Sequence, residues 1–332
     1  MSHREQFVAL ARTLERRLIG QELMVNRLLL ALLANGHLLV EGAPGLAKTR
    51  AIRSLADCLD LDYQRIQFTP DLLPADLTGT EVYRPADGSF VFQRGPLFNH
   101  LVLADEINRA PAKVQSALLE AMSESQISVA HQSYHLPTPF LVMATQNPIE
   151  QEGTYPLPEA QLDRFFMKVL VDYPDPALEQ HILTLVREEN RREQQQREAR
   201  RSTDAVARSP AVRIGPGDIH AARCEVLDLH MAEPVEAYLV SLVTATRDPG
   251  QLDTRLGKWL QFGASPRGTI ALDAASRAHA WLVGRDYVSP GDVQAVVHDV
   301  LRHRLLLSFE AEAEGISGDD IVNELLNLVV VP

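Results

Sequence analysis

Three stretches of the chain carry residue types that could do chemistry on a polyphosphate. The first is Gly42-Ala43-Pro44-Gly45-Leu46-Ala47-Lys48-Thr49, set between an apolar run at 37–41 and a segment of helical character at 50–59. Gly42 and Gly45 let the backbone turn so that its N–H groups face an anion. The helix that follows adds free N-terminal donors and the positive end of its dipole. Lys48 would reach the β- and γ-phosphates and the Thr49 hydroxyl would ligate Mg²⁺. Arg50 follows directly and is counted with the cradle, whereas Ala47 stands where a glycine is usual. The second stretch, Leu101-Val102-Leu103-Ala104-Asp105-Glu106, is an apolar run ending in two acids. At the carboxyl end of a buried parallel strand, Asp105 would hold Mg²⁺ through water, and Glu106 would act as the base for an attacking water. In the third, the strand-like run at 140–145 ends in Gln146-Asn147, an amide that could hold that water or touch the γ-phosphate. Further on, Leu162-Asp163-Arg164-Phe165-Phe166 precedes another apolar run, Val169-Leu170-Val171.

Composition narrows the class. At 332 residues there is room for two domains and a substantial core. A net charge of −12 and a pI near 5.4 argue against a broad nucleic-acid footprint, which needs clustered basic surface. Cys58 and Cys224 are far apart and lack metal-ligand spacing, so they read as small core residues in a reducing compartment. No stretch approaches the about 20 consecutive apolar residues of a membrane span, and the first residues lack an apolar signal core; the expectation is a cytoplasmic protein.

The elements that must position these residues follow from periodicity. Apolar residues at helical spacing predict two helices within 4–34, joined at Gly20, running into the strand before the glycine loop. A strand at 63–68, the Asp-Glu strand, the 140–145 strand and one at 169–171 alternate with helices, including one over 113–123. That order implies a parallel sheet with right-handed crossovers and the strand–loop–helix of a P-loop NTPase. Two β-hairpins are expected as insertions, one near 81–93 around Asp87-Gly88 and one near 126–136. Tyr173-Pro174 breaks the chain, which places a nucleotide-binding domain at 1–174 and a second domain at 175–332. The run at 177–201 reads as a charged, solvated helix, with a flexible link at 201–210. Beyond Gly217 the periodicity is helical throughout, with main helices at 233–247, 266–283 and 291–303, and a last apolar helix or short strand at 321–331.

The motifs together resemble the MoxR family of AAA+ ATPases, in the helix-2-insertion branch. The resemblance rests on the glycine loop, Leu103-Ala104-Asp105-Glu106-Ile107-Asn108-Arg109-Ala110-Pro111, the segments 116–122, 144–148 and 152–165, and Gly263-Ala264-Ser265-Pro266-Arg267-Gly268, which occur in the expected order between residues 19 and 268. Ala47 fits that family's habit. The resemblance implies an αβα sandwich around a five-stranded parallel sheet plus a C-terminal all-α lid. It further implies a ring, commonly a hexamer, with ATP bound between subunits. Ile19 and Gly20 would line the adenine pocket. Asn147 matches the sensor-1 position, Arg267 the sensor-2 position, and Arg164 the place from which such rings offer an arginine finger to a neighbour. Arg109 is a second finger candidate, and Arg267 could act within its subunit or across the interface. Ion pairing within the subunit is the other use of either arginine, with Asp163 an available partner for Arg164. Family members act as chaperone-like factors that mature protein complexes or insert their cofactors, often with a partner bearing a von Willebrand factor A domain. The expected function is thus Mg-ATP-driven remodelling of protein complexes. A DNA-acting motor and a nucleotide-gated scaffold are the alternatives.

Overall fold

The computed structural model describes residues 1–43, 45–46, 48–129, 132–148, 153–173, 176, 178–184, 187, 191 and 214–331. Pro44, Ala47 and Glu152, the tip of the second hairpin at 130–131, most of the helix expected at 177–201 and the link at 201–210 lie outside them.

Helix α1 (His3–Arg17) begins at a capping box in which Ser2 and Glu5 satisfy each other's backbone donors. It buries Phe7, Leu10 and Leu14 on one stripe. After a turn at Gly20, α2 (Glu22–Leu33) is apolar nearly all round and almost wholly buried. The α/β core follows: β1 (Leu38–Gly42), α3 (Lys48–Cys58), β2 (Tyr63–Gln67), the short α4 (Pro74–Thr78), hairpin strands β3 (Gly79–Arg84) and β4 (Ser89–Arg94), β5 (Leu101–Asp105), α5 (Ala112–Glu124), hairpin strands β6 (Gln126–Val129) and β7 (Gln132–His135), β8 (Leu141–Gln146), α6 (Glu159–Leu162) and β9 (Met167–Val171). Five of these strands form one sheet in the order β2-β5-β8-β1-β9, with every pairing parallel. All five residues of β5 are buried, as a central strand covered on both faces must be.

Side-chain alternation splits the core between the two faces. Leu38, Val40, Leu101, Leu103, Met143 and Val169 join α1–α3 on one face, while Leu39, Val102, Ala104, Val142 and Ala144 join α5 and the hairpin bases on the other. The first cluster continues without a break into the C-terminal helices, so the N-terminal pair and the lid share one apolar interior.

That C-terminal part comprises α7 (Pro216–Leu227), β10 (His230–Met231), α8 (Glu233–Ala245), α9 (Thr254–Trp259), β11 (Leu260–Phe262), α10 (Pro266–Leu282), β12 (Tyr287–Val288), α11 (Pro290–Leu301), β13 (Leu306–Leu307), α12 (Phe309–Ala313) and α13 (Gly318–Leu328). It is helical in its bulk, as expected, but two short ladders, β10 with β12 and β11 with β13, tie its loops together. Strands of two or three residues are too short to leave a period-2 signature, which is why helical periodicity hid them. The last apolar segment, open between helix and strand from sequence, is helical: Ser317 caps α13 by accepting from Asp320 N. Both inserted hairpins are present and antiparallel. Among the described residues no helix is long and apolar enough to cross a membrane.

Candidate functional site: a phosphate cradle and a separate arginine edge

The carboxyl ends of β1, β5 and β8 converge on a cavity of about 330 Å³. A Cβ on Gly42 would meet the Val171 carbonyl oxygen at 2.5 Å, so the close pass of β9 requires glycine there. Gly45 sits at φ +85°, where the loop turns back before α3 begins at Lys48. Gly45, Leu46, Lys48, Thr49 and Arg50 form one side of the cavity; Asp105, Glu106 and Asn147 form the other. Ala43 is buried behind the loop. Lys48 Nζ donates to Gly42 O at 2.6 Å and Gln146 O at 3.3 Å, lying across the mouth of the loop. Burial pulls the lysine pKa down, and Asp105, Glu106 and Glu41 act in the opposite direction.

The two acids are held by neighbouring strands. Thr145 on β8 is the pivot: its hydroxyl donates to Asp105 Oδ1 at 2.7 Å and accepts from Glu106 N at 2.9 Å. Glu106 adopts a left-handed backbone (φ 57°, ψ 52°), rare for a side chain of its size, which turns it out of the strand direction. On the other flank, Arg65 of β2 donates to Asp105 Oδ2 through Nε at 3.0 Å and Nη2 at 2.6 Å. Gln67, two residues on along β2, donates to Glu106 Oε2 at 2.7 Å and accepts from Arg65 at 2.9 Å. Arg109 Nη1 also donates to Glu106 Oε2, at 3.0 Å. Both acids are therefore clasped by the edge strand.

Thr49 Oγ1 lies 3.5 Å from Asp105 Oδ2. A hydroxyl and a carboxylate that approach each other across a phosphate cavity suit a hard cation such as Mg²⁺. Arg65 holds the same Oδ2, so a cation held by Asp105, directly or through water, would compete with the guanidinium for that oxygen. Among the described residues no group of three or more His, Cys, Asp or Glu could hold a metal by itself.

The remaining expected residues lie elsewhere. Ile19 and Gly20 are not among the walls of this cavity, and Gly20 packs against Leu178. Arg164 and Arg267 line a second cavity, of about 430 Å³, together with Asn35, His37, Met122 and Ile270. Phe166 N donates to His37 O at 2.8 Å, just ahead of β1 and β9, so this cavity is at the amino edge of the sheet. Five-residue strands at about 3.3 Å per residue separate the two edges by roughly 16 Å. Arg164 is exposed and donates to Leu119 O at 2.9 Å; it does not take Asp163 as its partner. Asp163 is instead taken by the lid: Arg304 Nε donates at 3.0 Å, Ser265 Oγ at 2.9 Å, and Arg267 Nη1 is 3.8 Å away. His37 bridges the sheet to α5 beside this cavity, accepting from Val142 N at 3.1 Å and donating to Met122 O at 3.1 Å. Its burial pushes the imidazole pKa down to about 4.

Several of these residues escaped the sequence. Arg65, Gln67 and Arg304 belong to none of the motifs above, and Thr145, inside the 144–148 segment, carried no expected role; the available hint was the i, i+2 spacing of two polar residues on an edge strand.

Comparison with known proteins fits this geometry. Residues 37–167 match the ATPase family associated with various cellular activities (AAA), and residues 252–325 match the AAA lid domain. The chaperone MoxR1 of Mycobacterium tuberculosis is 44% identical over 320 residues, covering 96% of this chain and 80% of that protein. The chain belongs to the MoxR family of AAA ATPases. The protein MoxR of Methylorubrum extorquens is 33% identical over 89% of this chain and 86% of its own length. A crystal structure of a protein assigned as an ATPase from Cytophaga hutchinsonii superposes with a TM-score of 0.86 at 42% identity, covering 99% of this chain and 96% of that one. The αβα core with a helical lid is thus shared with that structure.

Proposed function

We propose that this MoxR-family protein is a Mg-ATP-hydrolysing ring ATPase that remodels client protein complexes, each active site being shared between two subunits. The observation that carries the reading is the segregation of parts. The phosphate cradle and both acids sit at one edge of the sheet, and Arg164 and Arg267 sit at the other. A guanidinium roughly 16 Å from its own P-loop serves catalysis only when another copy of the chain presents its cradle to it.

In this reading residues 1–174 bind nucleotide and residues 175–332 carry the lid. The backbone of 42–49 and Lys48 bind the β- and γ-phosphates, and Lys48 exchanges its contacts with Gly42 O and Gln146 O for phosphate oxygens. Thr49 and Asp105 would hold Mg²⁺, which would supply charge neutralisation for the bound phosphates. Glu106 accepts a proton from the attacking water, and the amide of Asn147 orients that water against the γ-phosphate. Gln67 and Arg109 both donate to Glu106 Oε2, so the other carboxylate oxygen, Oε1, is the one to take that proton. Arg164 and Arg267 approach from the neighbour and neutralise charge developing on the transferred phosphoryl group. The hairpins β3–β4 and β6–β7 transmit ring motion to a bound client. A hexameric ring, a cytoplasmic setting and a partner with a von Willebrand factor A domain complete the reading.

The test is a pair of variants. Glu106→Gln binds ATP with near-normal affinity and loses at least about 100-fold in turnover. Arg164→Ala binds ATP, fails alone, and regains turnover when mixed with Glu106→Gln subunits. Full hydrolysis by Glu106→Gln, or a dead Arg164→Ala that no mixture restores, defeats the shared-site reading.

A further inference from the structure

Asp163 stands between the two arginines of the amino edge and is committed to neither of the roles that the reaction needs. Its carboxylate collects three groups from the lid. Arg304, at the end of α11, donates from Nε to Oδ1 at 3.0 Å. Ser265, the N-cap of α10, donates to Oδ2 at 2.9 Å and itself accepts from Arg267 N at 3.1 Å. Arg267 Nη1 lies 3.8 Å from the same Oδ2. The backbone around Asp163 is held just as firmly. Arg304 donates to Phe165 O at 2.6 Å and Phe166 O at 3.2 Å, and His303 Nε2 donates to Phe165 O at 3.1 Å. The Arg304 side chain is 2% exposed, so this is a desolvated, multiply bonded guanidinium with little freedom to rearrange.

The consequence is geometric. Arg164 is the next residue along the chain from Asp163, and Arg267 is two residues beyond Ser265. One arginine belongs to the core and the other to the lid, and the shortest bonded route between them runs through the Asp163 carboxylate. Three guanidinium groups, those of Arg164, Arg267 and Arg304, also face or flank one cavity, where mutual repulsion would spread them apart without a negative charge among them.

We propose that Asp163 is a positioning residue that sets the spacing of Arg164 and Arg267, so that both meet one phosphate of the neighbouring subunit as a pair. The proposal rests on the shared-site reading above. Two arginines aimed at one phosphoryl group tolerate little misplacement, because the gain from preorganised charge falls steeply with distance. In Asp163→Asn the charge is gone and one side-chain oxygen remains for Ser265 or Arg304, so the lid stays docked while the arginine pair loses its common reference.

The experiment compares turnover, nucleotide affinity and subunit mixing for Asp163→Asn, Ser265→Ala and Arg164→Ala. Asp163→Asn is expected to lose at least tenfold in kcat with nucleotide affinity within twofold of wild type, and Ser265→Ala to lose severalfold. Adding Glu106→Gln subunits, whose arginine edge is intact, restores turnover at the Asp163→Asn P-loop. A merely structural role would not be rescued in this way, so an inactive Asp163→Asn that Glu106→Gln subunits fail to restore overturns the proposal. Wild-type kcat in Asp163→Asn beside a dead but rescuable Arg164→Ala also overturns it, and leaves the shared site standing. Full activity in Arg164→Ala overturns the shared site and the proposal together. Where Asp163→Asn fails to fold, Ser265→Ala carries the same comparison, and wild-type kcat in that variant refutes the proposed spacing.

Discussion

Replacing Arg65 by alanine should make Mg²⁺-dependent nucleotide binding tighter, not weaker. Arg65 places two donors, at 3.0 and 2.6 Å, on the Asp105 oxygen that also faces Thr49. Two unit charges about 4 Å apart attract by roughly 4 kcal/mol near a protein surface. Arg65 is half exposed, and solvent screening and side-chain entropy reduce such pairs to about 1 kcal/mol. That residue of energy must be given up when a cation takes the oxygen. Arg65→Ala therefore gains about fivefold in affinity for a nucleotide analogue in the presence of Mg²⁺. Without the metal, in excess chelator, affinity stays within about twofold because the phosphate contacts through Lys48 are untouched. Fluorescent-nucleotide titrations with and without Mg²⁺ measure both limbs. Equal gains in the two conditions, or a loss confined to the Mg²⁺ limb, would refute the idea that Arg65 competes for the metal oxygen.

His37 gives a pH prediction. Its folded pKa, about 4 against 6.5 for the free side chain, means that folding favours the neutral ring. Its contribution is complete above pH 6.5 and disappears as pH falls toward 4, up to about 3 kcal/mol; urea titrations from pH 7 to 4 should show a shallower acid limb in His37→Asn, and an unchanged limb would dismiss the assignment. The rings of Phe92 and Tyr134 stack at 4.2 Å and 19°, joining the two hairpins. A double-mutant cycle to leucine at both positions should report a coupling of about 0.5–1.5 kcal/mol in unfolding, and additivity would mean that the hairpins are energetically independent.

What could be read in advance follows from how local each signal is. The glycine loop, the Asp-Glu strand end and the amide at Asn147 are fixed by a few consecutive residues whose backbone must do one thing, so their placement on one cavity was legible. Buried strands such as β5 announce themselves as apolar runs. The clasp was not legible, because Arg65 and Gln67 acquire meaning only from the pairing of β2 with β5, which sets Gln67 opposite Asp105. The partner of Asp163 was equally hidden: adjacency favoured Arg164, yet the bonds come from Arg304 and Ser265, more than a hundred residues away in the sequence. The small ladders of the lid were missed because two residues of strand carry no period.

Under the proposed shared site, the separation of cradle and arginines gives the position of the lid's anchorage a use. A lid fastened at the P-loop edge would respond to the nucleotide of its own subunit. Here a cluster of lid-to-core bonds, those of Arg304 and His303, grips residues 163–166 at the opposite edge, where Arg164 resides. A rigid connection there makes lid and arginine edge one body. In a ring, a change at one subunit's phosphate would pull on the neighbour's arginines, and through them on the neighbour's lid as a whole. The lid's α10 and α11 share their apolar interior with α1 and α2, which lead into β1 and its own cradle. Stress applied at one edge of a subunit thus has a packed route to the other. If the chain assembles into the proposed ring, that packed route would let neighbouring sites act in sequence through the 163–166 segment and the base of the lid.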